Sequence, residues 1–259
     1  MLRKIEILGI RITSENRQDV LEYALDFMQN GSKKGYIVTP NPEMLVAAQH
    51  DAEFKSILNK AEVALPDGIG VTWAARFLGK QLQGRITGVD FIEDICEVAQ
   101  KKPVRMGFLG GGPKVAEMAA ECLKKKYPWI TVRYSSEEWK GLQAGEGSAA
   151  DDIVRYGFEK NGLGNTSGNE KLDILFVAFG APKQEKWIAS HLSELPVTMA
   201  MGVGGALDYL SETVSRAPGP VRALGLEWLY RLVRQPWRWR RQLALPQFVW
   251  LVARQKFLS

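Results

Sequence analysis

The sequence predicts an α/β protein built on a mostly parallel sheet with helices on both faces, followed by a C-terminal helical appendage that is basic and aromatic. Short apolar runs alternate with helical patterns through residues 1–210, and this order is typical of a parallel sheet. Several runs are apolar at nearly every position, as expected of strands covered on both faces. Residues 211–259 differ, because arginines and tryptophans cluster there. We therefore expect a Rossmann-like domain over 1–210 and an appendage over 211–259.

The apolar runs assigned to strands are residues 5–10, 35–39, 63–65, 104–109, 130–134, 174–179 and 197–201. Apolar residues at helical spacing fill most of the intervals between them. One helix start is clear, because Asn41 can cap a helix whose first residue is Pro42. Thr87 and Asp90 resemble a capping box ahead of another helix. The Gly-, Ser- and Asn-rich stretch 141–170, with a helical interval at 152–158, predicts a surface insertion.

Polar residues and glycines follow the ends of several predicted strands. They are Thr39, Asn41, Asp67, Gly110, Gln184 and Gly204. In an open parallel sheet, ligands bind at the carboxyl ends of the strands. We therefore expect these residues to share one rim. Residues 38–90 contribute most to it, because they contain three polar clusters that each close an apolar run and open a helical pattern.

These residues also have purely structural explanations. Asn41 fits a helix cap, a role that does not exclude contact with a ligand. Asp67 lies in a Pro-Asp-Gly sequence, which is ordinary turn chemistry. Thr87 and Asp90 fit helix capping. The residues alone leave both interpretations open.

A glycine run predicts a nucleotide-binding element. Gly110, Gly111 and Gly112 lie between a predicted strand and a predicted helix, where backbone N–H groups favour a phosphate. The spacing matches neither a Walker A loop nor a dinucleotide-binding fingerprint. Asp208 follows another glycine pair and can accept a hydrogen bond from a ribose hydroxyl or a base N–H. It fits a helix-start carboxylate equally well.

The formal charge of +5 is unevenly distributed. Residues 216–259 carry nine Arg or Lys and one acidic residue, a net +8, which leaves −3 for residues 1–215. Cys96 and Cys122 lack metal-ligand spacing and indicate a reducing compartment. Two histidines are too few for a His-rich metal site. With no signal peptide and no apolar run of bilayer-spanning length, we expect a cytoplasmic protein.

The tail, defined as residues 216–259, contains four of the eight tryptophans. Its apolar residues Val221, Leu224, Trp228, Leu229 and Leu232 repeat at helical spacing, and residues 236–241 interleave Trp with Arg. One interpretation is a helix packed on the domain. A helix in the membrane interface suits the composition better, because anionic lipids attract cations and Trp favours the headgroup region. A nucleic-acid surface is disfavoured by the acidic domain, and an exposed apolar face leaves a homo-oligomer open.

Five motifs occur in order along the chain. They are Thr39-Pro40-Asn41, residues 66–71, residues 85–90, residues 180–187, and Arg216-Ala217-Pro218 with residues 225–232. Together they resemble the WecG/TagA/CpsF glycosyltransferase family nearly from end to end. The chain departs from the family pattern in the 141–170 insertion, in Glu212 where Gly is expected, and in the Pro-Gly-Pro at 218–220.

The resemblance implies an inverting transferase. It would move N-acetylmannosamine, or a related N-acetylhexosamine or uronic acid, from its UDP-sugar to the N-acetylglucosamine of an undecaprenyl-diphosphate-linked acceptor. Such enzymes act in teichoic acid, enterobacterial common antigen or capsule synthesis, on the inner face of the cytoplasmic membrane. Asp67 matches the family's proposed base. Thr39, Asn41, Arg85 and Gln184 match its polar site residues.

The resemblance and the sequence together predict catalysis without a metal or another cofactor. The chain has no Asp-x-Asp motif, which is the usual Mg²⁺ or Mn²⁺ clamp for a nucleoside diphosphate. Arginine can neutralise a departing diphosphate instead, because its planar fork binds phosphate through two hydrogen bonds. The resemblance assigns this role to Arg231, Arg238 and Arg241.

Two other classes of function remain open from the sequence. The fold class alone fits another nucleotide-dependent enzyme such as an oxidoreductase, although the missing fingerprint weakens that hypothesis. The tail alone fits a non-catalytic adaptor that binds membranes. Turnover of a UDP-N-acetylhexosamine would separate both from a glycosyltransferase.

Overall fold

A computed structural model describes residues 2–31, 33–136 and 171–258. The insertion predicted at 141–170, with its helical interval, lies outside the described residues. The strands are β1 (Lys4–Ile7), β2 (Ile10–Thr13), β3 (Gly35–Val38), β4 (Val63–Ala64), β5 (Arg105–Gly110), β6 (Thr131–Ser136), β7 (Leu172–Ala178) and β8 (Val197–Gly202). The helices are α1 (Arg17–Asn30), α2 (Pro42–His50), α3 (Ala52–Lys60), α4 (Ile69–Phe77), α5 (Gly88–Val98), α6 (Val115–Lys126), α7 (Lys183–His191), α8 (Ala206–Leu210), α9 (Gly219–Ala223), α10 (Glu227–Arg234), α11 (Trp239–Gln242) and α12 (Ala244–Leu258), with a 3-10 turn at Pro236–Arg238.

Six strands form a parallel sheet in the order β4-β3-β8-β7-β5-β6, flanked by helices. Strands β7 and β8 are buried along their whole length, as their mostly apolar sequences predict, and this burial includes Asp173 and Thr198. The rings of Phe108 and Phe176 stack in adjacent strands with their centroids 5.3 Å apart. The predicted fold class is confirmed.

The chain forms two compact units. The first consists of Met1–Glu22, Val38–Gly88 and Ser215–Ser259, and the second of Tyr23–Ile37 and Val89–Val214. The polar clusters of residues 38–87 and the tail therefore belong to the first unit. The glycine run, Gln184 and Asp208 belong to the second. The boundary between residues 210 and 211 stays a prediction.

The N-terminal segment corrects one predicted element, because residues 5–10 are not a single strand. The chain turns at Leu8 and Gly9, which have φ values of 53° and 74°, and β1 pairs with β2 in an antiparallel hairpin. Positive φ at both central residues is typical of the type I′ turn that joins hairpin strands. Gly9 was the sequence signal for this turn, but the apolar residues around it concealed the signal.

The tail is also less regular than its apolar spacing predicts. Helices α9 and α10 are separated at Gly225, which has a φ of 72°. A Cβ atom at this position would lie 2.8 Å from the Cβ of Ile69, so the close approach requires glycine. Further along, α12 packs on α2 and buries Phe248 and Val252. Within the described ranges, no helix combines the length and the hydropathy needed to cross a membrane.

Candidate active site

Backbone hydrogen bonds join the three polar clusters of the first unit. The N–H of Asp67 donates to the carbonyl of Pro40 at 3.0 Å, just beyond the ends of β3 and β4. The N–H of Ile86 donates to the carbonyl of Pro66, also at 3.0 Å. The clusters that precede α2, α4 and α5 therefore share one backbone framework, although Pro40 and Ile86 are 46 positions apart in the sequence.

Asp67 lies immediately before the N-terminal end of α4. Gly68, with a φ of 88°, is the N-cap residue, and it has no side chain with which to cap the helix. The partial positive charge of a helix N-terminus stabilises a nearby carboxylate. The half-buried Asp67 thus lies close in sequence to the positive end of this helix.

Thr39 and Asn41 follow the end of β3. Thr39 is buried. The Oδ1 atom of Asn41 accepts a hydrogen bond of 3.0 Å from the N–H of Met44, so Asn41 is the N-cap of α2. The cap uses the side-chain oxygen, and a ligand contact through the amide nitrogen is compatible with it.

Two arginines connect the third cluster to the start of the tail. The Nη2 atom of Arg85 donates to the carbonyl of Arg222 at 3.0 Å. Arg216 donates to Oγ1 of Thr87 at 3.3 Å and to Oε1 of Glu227 at 3.1 Å. The Arg216 and Glu227 side chains are only 17% and 16% exposed. Arg216 was not among the predicted site residues, although it belongs to Arg216-Ala217-Pro218, one of the motifs that carry the family resemblance.

The three arginines predicted to bind diphosphate have different partners. The Nε atom of Arg241 donates to Oε2 of Glu43 at 2.8 Å, in the first turn of α2. The Nε atom of Arg231 donates to Oε1 of Gln235 at 3.1 Å. Arg238 is half-buried at the end of the 3-10 turn. The structure thus brings Arg241 to the cluster that contains Asn41, whereas the bond of Arg231 to Gln235 lies within the tail.

In the second unit, Gln184 joins two loops that follow strands β7 and β8. Its Oε1 atom accepts hydrogen bonds from the N–H of Gly180 at 3.0 Å and the N–H of Gly204 at 2.9 Å. Its Nε2 atom donates to Oε1 of Glu185 at 2.7 Å. The side chain is buried. These bonds fix the two loops, and direct contact of Gln184 with a sugar stays a prediction.

Glu185, the neighbour of Gln184, has a fully buried carboxyl group. Burial raises the pKa of Glu185 to about 7, against a smaller lowering by the hydrogen bonds from Gln184 and the backbone. Its Oε2 atom is buried, and no group among the described residues forms a hydrogen bond with it. Sequence analysis did not single out this residue, because a Glu in the first turn of a helix is ordinary.

The predicted nucleotide-binding element, Gly110 to Gly112, is a glycine turn at the end of β5 and before α6. Gly110, Gly111 and Gly112 have φ values of 94°, 88° and 93°. The N–H of Gly111 donates to the carbonyl of Ala178 at 3.1 Å, and this bond anchors the turn to the end of β7. Among the described residues, no atom lies within 4 Å of the place that a Cβ atom at Gly112 would take. This part of the structure therefore leaves space at Gly112, while the role of the turn in nucleotide binding stays a prediction.

Asp208 lies in the first turn of α8, as the helix-start interpretation expects. Its main-chain carbonyl accepts hydrogen bonds from the hydroxyl groups of Ser211 and Thr213 at 3.2 and 2.9 Å. The ribose or base contact proposed for its side chain stays a prediction. Across residues 2–31, 33–136 and 171–258, no group of three or more His, Cys, Asp or Glu residues is arranged to hold a metal ion.

Comparison with known proteins identifies the family. The family model described as glycosyl transferase, WecG/TagA/CpsF family, matches residues 5–259. The chain belongs to this family. The match extends from the N-terminal hairpin to the last helix and so includes both units.

Several relatives carry the name N-acetylglucosaminyldiphosphoundecaprenol N-acetyl-beta-D-mannosaminyltransferase. The protein from Bacillus spizizenii is 33% identical over 228 residues, which is 88% of this chain and 82% of that protein. The protein from Bacillus subtilis is 33% identical over 220 residues, or 85% of this chain and 79% of that protein. The protein from Staphylococcus aureus strain MW2 is 29% identical over 254 residues, or 98% and 93% of the two chains.

One departure from the WecG/TagA/CpsF pattern has a structural consequence. Glu212, where Gly was expected, has a φ of 60°. It follows Ser211, the C-cap residue of α8, and this is the position where glycine is enriched because the left-handed conformation disfavours a Cβ atom. The resemblance therefore indicated a backbone requirement that this chain meets with a strained glutamate.

Proposed function

We propose that this glycosyltransferase moves N-acetylmannosamine from UDP to the N-acetylglucosamine of an undecaprenyl-diphosphate-linked acceptor, in the synthesis of teichoic acid or a related cell-surface polysaccharide. The observation that carries the proposal is the backbone framework that holds three family motifs together, with Asp67 before the N-terminus of α4. The family match and the names of the relatives supply the reaction class.

The proposed reaction is a single displacement with inversion. The Asp67 carboxylate takes the proton of an acceptor hydroxyl, and that oxygen forms a bond to the anomeric carbon of the donor sugar. The bond between this carbon and the UDP oxygen breaks, and UDP leaves with the electron pair. One carboxylate suffices as base, because no covalent sugar–enzyme intermediate is needed.

The remaining predicted residues would bind the two substrates. Thr39, Asn41 and Arg85 lie in the same framework as Asp67 and would contact sugar hydroxyls, the acetamide or phosphate. The glycine turn 110–112 and Asp208 would bind the nucleotide.

The departing diphosphate carries a charge that must be neutralised. Arg231, Arg238 and Arg241 would stabilise it through charge-assisted hydrogen bonds. Such bonds allow the reaction to proceed without a metal ion or another cofactor.

We also propose that the tail holds the enzyme on the inner face of the cytoplasmic membrane. Trp237, Trp239 and Trp250 are exposed, and the tail carries a net charge of +8. Together they suit an anionic lipid surface. Sedimentation with anionic vesicles, but not with neutral ones, is the expected result. Equal sedimentation with both kinds of vesicle would contradict the electrostatic part of the proposal.

The decisive experiment is a donor screen against a synthetic, prenyl-diphosphate-linked N-acetylglucosamine. We expect release of UDP from UDP-N-acetylmannosamine that requires the acceptor and persists in EDTA. Omission of the acceptor controls for simple hydrolysis. If no UDP-N-acetylhexosamine is turned over, the proposed reaction is wrong; if EDTA abolishes release, the metal-independent step is wrong.

A further inference from the structure

Helix α4 carries an exposed apolar stripe that no step of the proposed reaction uses. Ile69, Trp73 and Phe77 repeat every four residues and therefore lie along one face of the helix. Their exposed fractions are 44%, 39% and 36%. Large apolar side chains grouped on a surface in this way mark a site that binds another apolar partner.

The first unit supports the stripe at both ends. The rings of Trp73 and Phe77 stack at 5.3 Å, and the ring of Phe257 meets Phe77 edge-on at 6.4 Å. At the other end, Gly225 packs against Ile69. The aromatic rings are thus held in position and still present apolar surface to solvent.

The stripe begins next to the proposed catalytic group. Ile69 is the first residue of α4 and follows Asp67 by two positions. From Ile69 to Phe77 the stripe extends about 12 Å along the helix, at 1.5 Å per residue. An acceptor bound at Asp67 has its diphosphate and lipid on the side away from the reacting hydroxyl, so an apolar path that leaves this point suits the lipid.

We propose that the face of α4 formed by Ile69, Trp73 and Phe77 binds the diphosphate-proximal part of the acceptor's prenyl chain. This inference rests on the proposed function, because it assigns the lipid part of the same acceptor. The stripe lengthens the acceptor site beyond the sugar and the diphosphate. It makes binding of the acceptor depend on the length of the prenyl chain even when no membrane is present.

The test compares two soluble acceptors that differ only in the group on the diphosphate, farnesyl or ethyl. Both carry N-acetylglucosamine, and both are assayed without vesicles or detergent. For the wild type, the farnesyl acceptor is expected to have the lower KM. Trp73→Ser and Phe77→Ser are each expected to reduce this preference about tenfold, because each removes much of the apolar contact area of one ring.

Two kinetic constants and two further variants distinguish loss of the prenyl-binding surface from general damage. The KM of the UDP-sugar and the kcat with saturating ethyl acceptor should stay at the wild-type values in both variants. Trp73→Tyr should restore most of the farnesyl preference. Met118→Ser is the matched control, because Met118 is 40% exposed on α6 and has no part in the proposed site.

Calorimetric binding of the two acceptors makes the test independent of turnover. Unchanged farnesyl preference in both serine variants would overturn the inference. If those variants lose only vesicle sedimentation, the stripe binds the bilayer; if they lose only self-association in analytical ultracentrifugation, it binds a second copy of the chain. A wild type that binds both acceptors equally would also overturn it, whereas a farnesyl preference in binding without any UDP release would refute the proposed function alone.

Discussion

The two units hold their strand-end loops in opposite ways. In the first unit, backbone hydrogen bonds tie the clusters together, and charged side chains such as Asp67 and Arg85 remain half-exposed. In the second unit, the buried side chain of Gln184 ties two loops, and the carboxyl group of Glu185 lies fully inside. The charges of Asp67 and Arg85 are thus partly exposed to solvent, whereas the carboxyl group of Glu185 is enclosed.

This difference indicates where a substitution should affect turnover and where it should affect the free energy of unfolding. Where backbone hydrogen bonds fix a loop, as between Asp67 and Pro40, neutralising a half-exposed charge on that loop is expected to leave it in place. Replacing a buried polar side chain such as Gln184 is expected to destabilise the fold, because its partners lose hydrogen bonds that water does not replace. Substitutions in the two units should therefore separate turnover from stability.

The largest effect is expected for Asp67→Asn in the first unit. Removal of the proposed base should lower kcat about a thousandfold, while calorimetric binding of UDP and the free energy of unfolding stay near their wild-type values. The control is Asp51→Asn, because Asp51 caps α3 by accepting from the N–H of Phe54 and asparagine caps equally well. A wild-type rate in Asp67→Asn would exclude this residue as the base.

The second prediction concerns the buried carboxyl group of the second unit. The pKa of Glu185 is raised from 4.5 to about 7 by burial, so between these values the unfolded chain releases a proton that the folded protein keeps. The protonated Glu185 therefore stabilises the folded protein fully below pH 4.5, and this stabilisation is lost as pH rises through 7. Its loss should lower the free energy of unfolding by about 3 kcal/mol over that range.

Denaturant titrations at pH 5 and pH 8 test this pH dependence. The wild type should be less stable at pH 8, and Glu185→Gln should lack that part of the difference. Glu121→Gln, an exposed change in the same unit, is the control and should keep the wild-type pH dependence. A pH dependence in Glu185→Gln as steep as that of the wild type would show that this carboxyl group is not its source.

A third prediction compares two arginines within the first unit. Arg216→Ala breaks the bonds to Thr87 and Glu227 and should cost about 2 kcal/mol of stability, because these groups are mostly buried. Arg241→Ala breaks an exposed ion pair with Glu43 and should cost less than about 1 kcal/mol. Turnover should instead fall about a hundredfold in Arg241→Ala, through loss of a charge-assisted phosphate bond.

Thermal unfolding and steady-state kinetics of both arginine variants check this separation. Arg216→Lys should recover part of the stability, since it restores the charge but not the planar fork. Equal loss of turnover in the two alanine variants would mean that Arg241 acts only by holding the tail. It would then have no contact with the diphosphate.

The smallest effect is expected at Glu212 in the second unit. Glu212→Gly relieves a left-handed backbone conformation and should stabilise the protein by about 1 kcal/mol, since such strain costs about 1–3 kcal/mol and glycine entropy offsets part of it. The midpoint of thermal unfolding should rise by about 2–4 °C. Ser211→Gly, at the neighbouring φ of −81°, should lower it. A lower midpoint in Glu212→Gly would show that the left-handed conformation of Glu212 does not destabilise the folded protein.

The sequence predicted those features that depend on local pattern and burial. Strand β7 was recognised because residues 174–178 are all apolar, and the cap at Asn41 followed from its position before Pro42. The hairpin turn at Leu8 was missed, because the apolar run continued through it. The roles observed for Gln184 and Arg216 could not be predicted. Their partners lie up to 20 and 129 positions away, and pairing at such a separation is decided by the folded chain.

The discontinuity of the first unit has a consequence for synthesis of the protein. The unit requires Ser215–Ser259 in addition to its two earlier segments, and one of its hydrogen bonds joins Leu8 to Gln255, 247 positions apart. Folding proceeds from the N-terminal side as the chain emerges from the ribosome, and contacts between distant positions form slowly. The second unit can therefore close on a nascent chain while the first cannot. The segment that contains Asp67 reaches its final environment only after translation of the last helix.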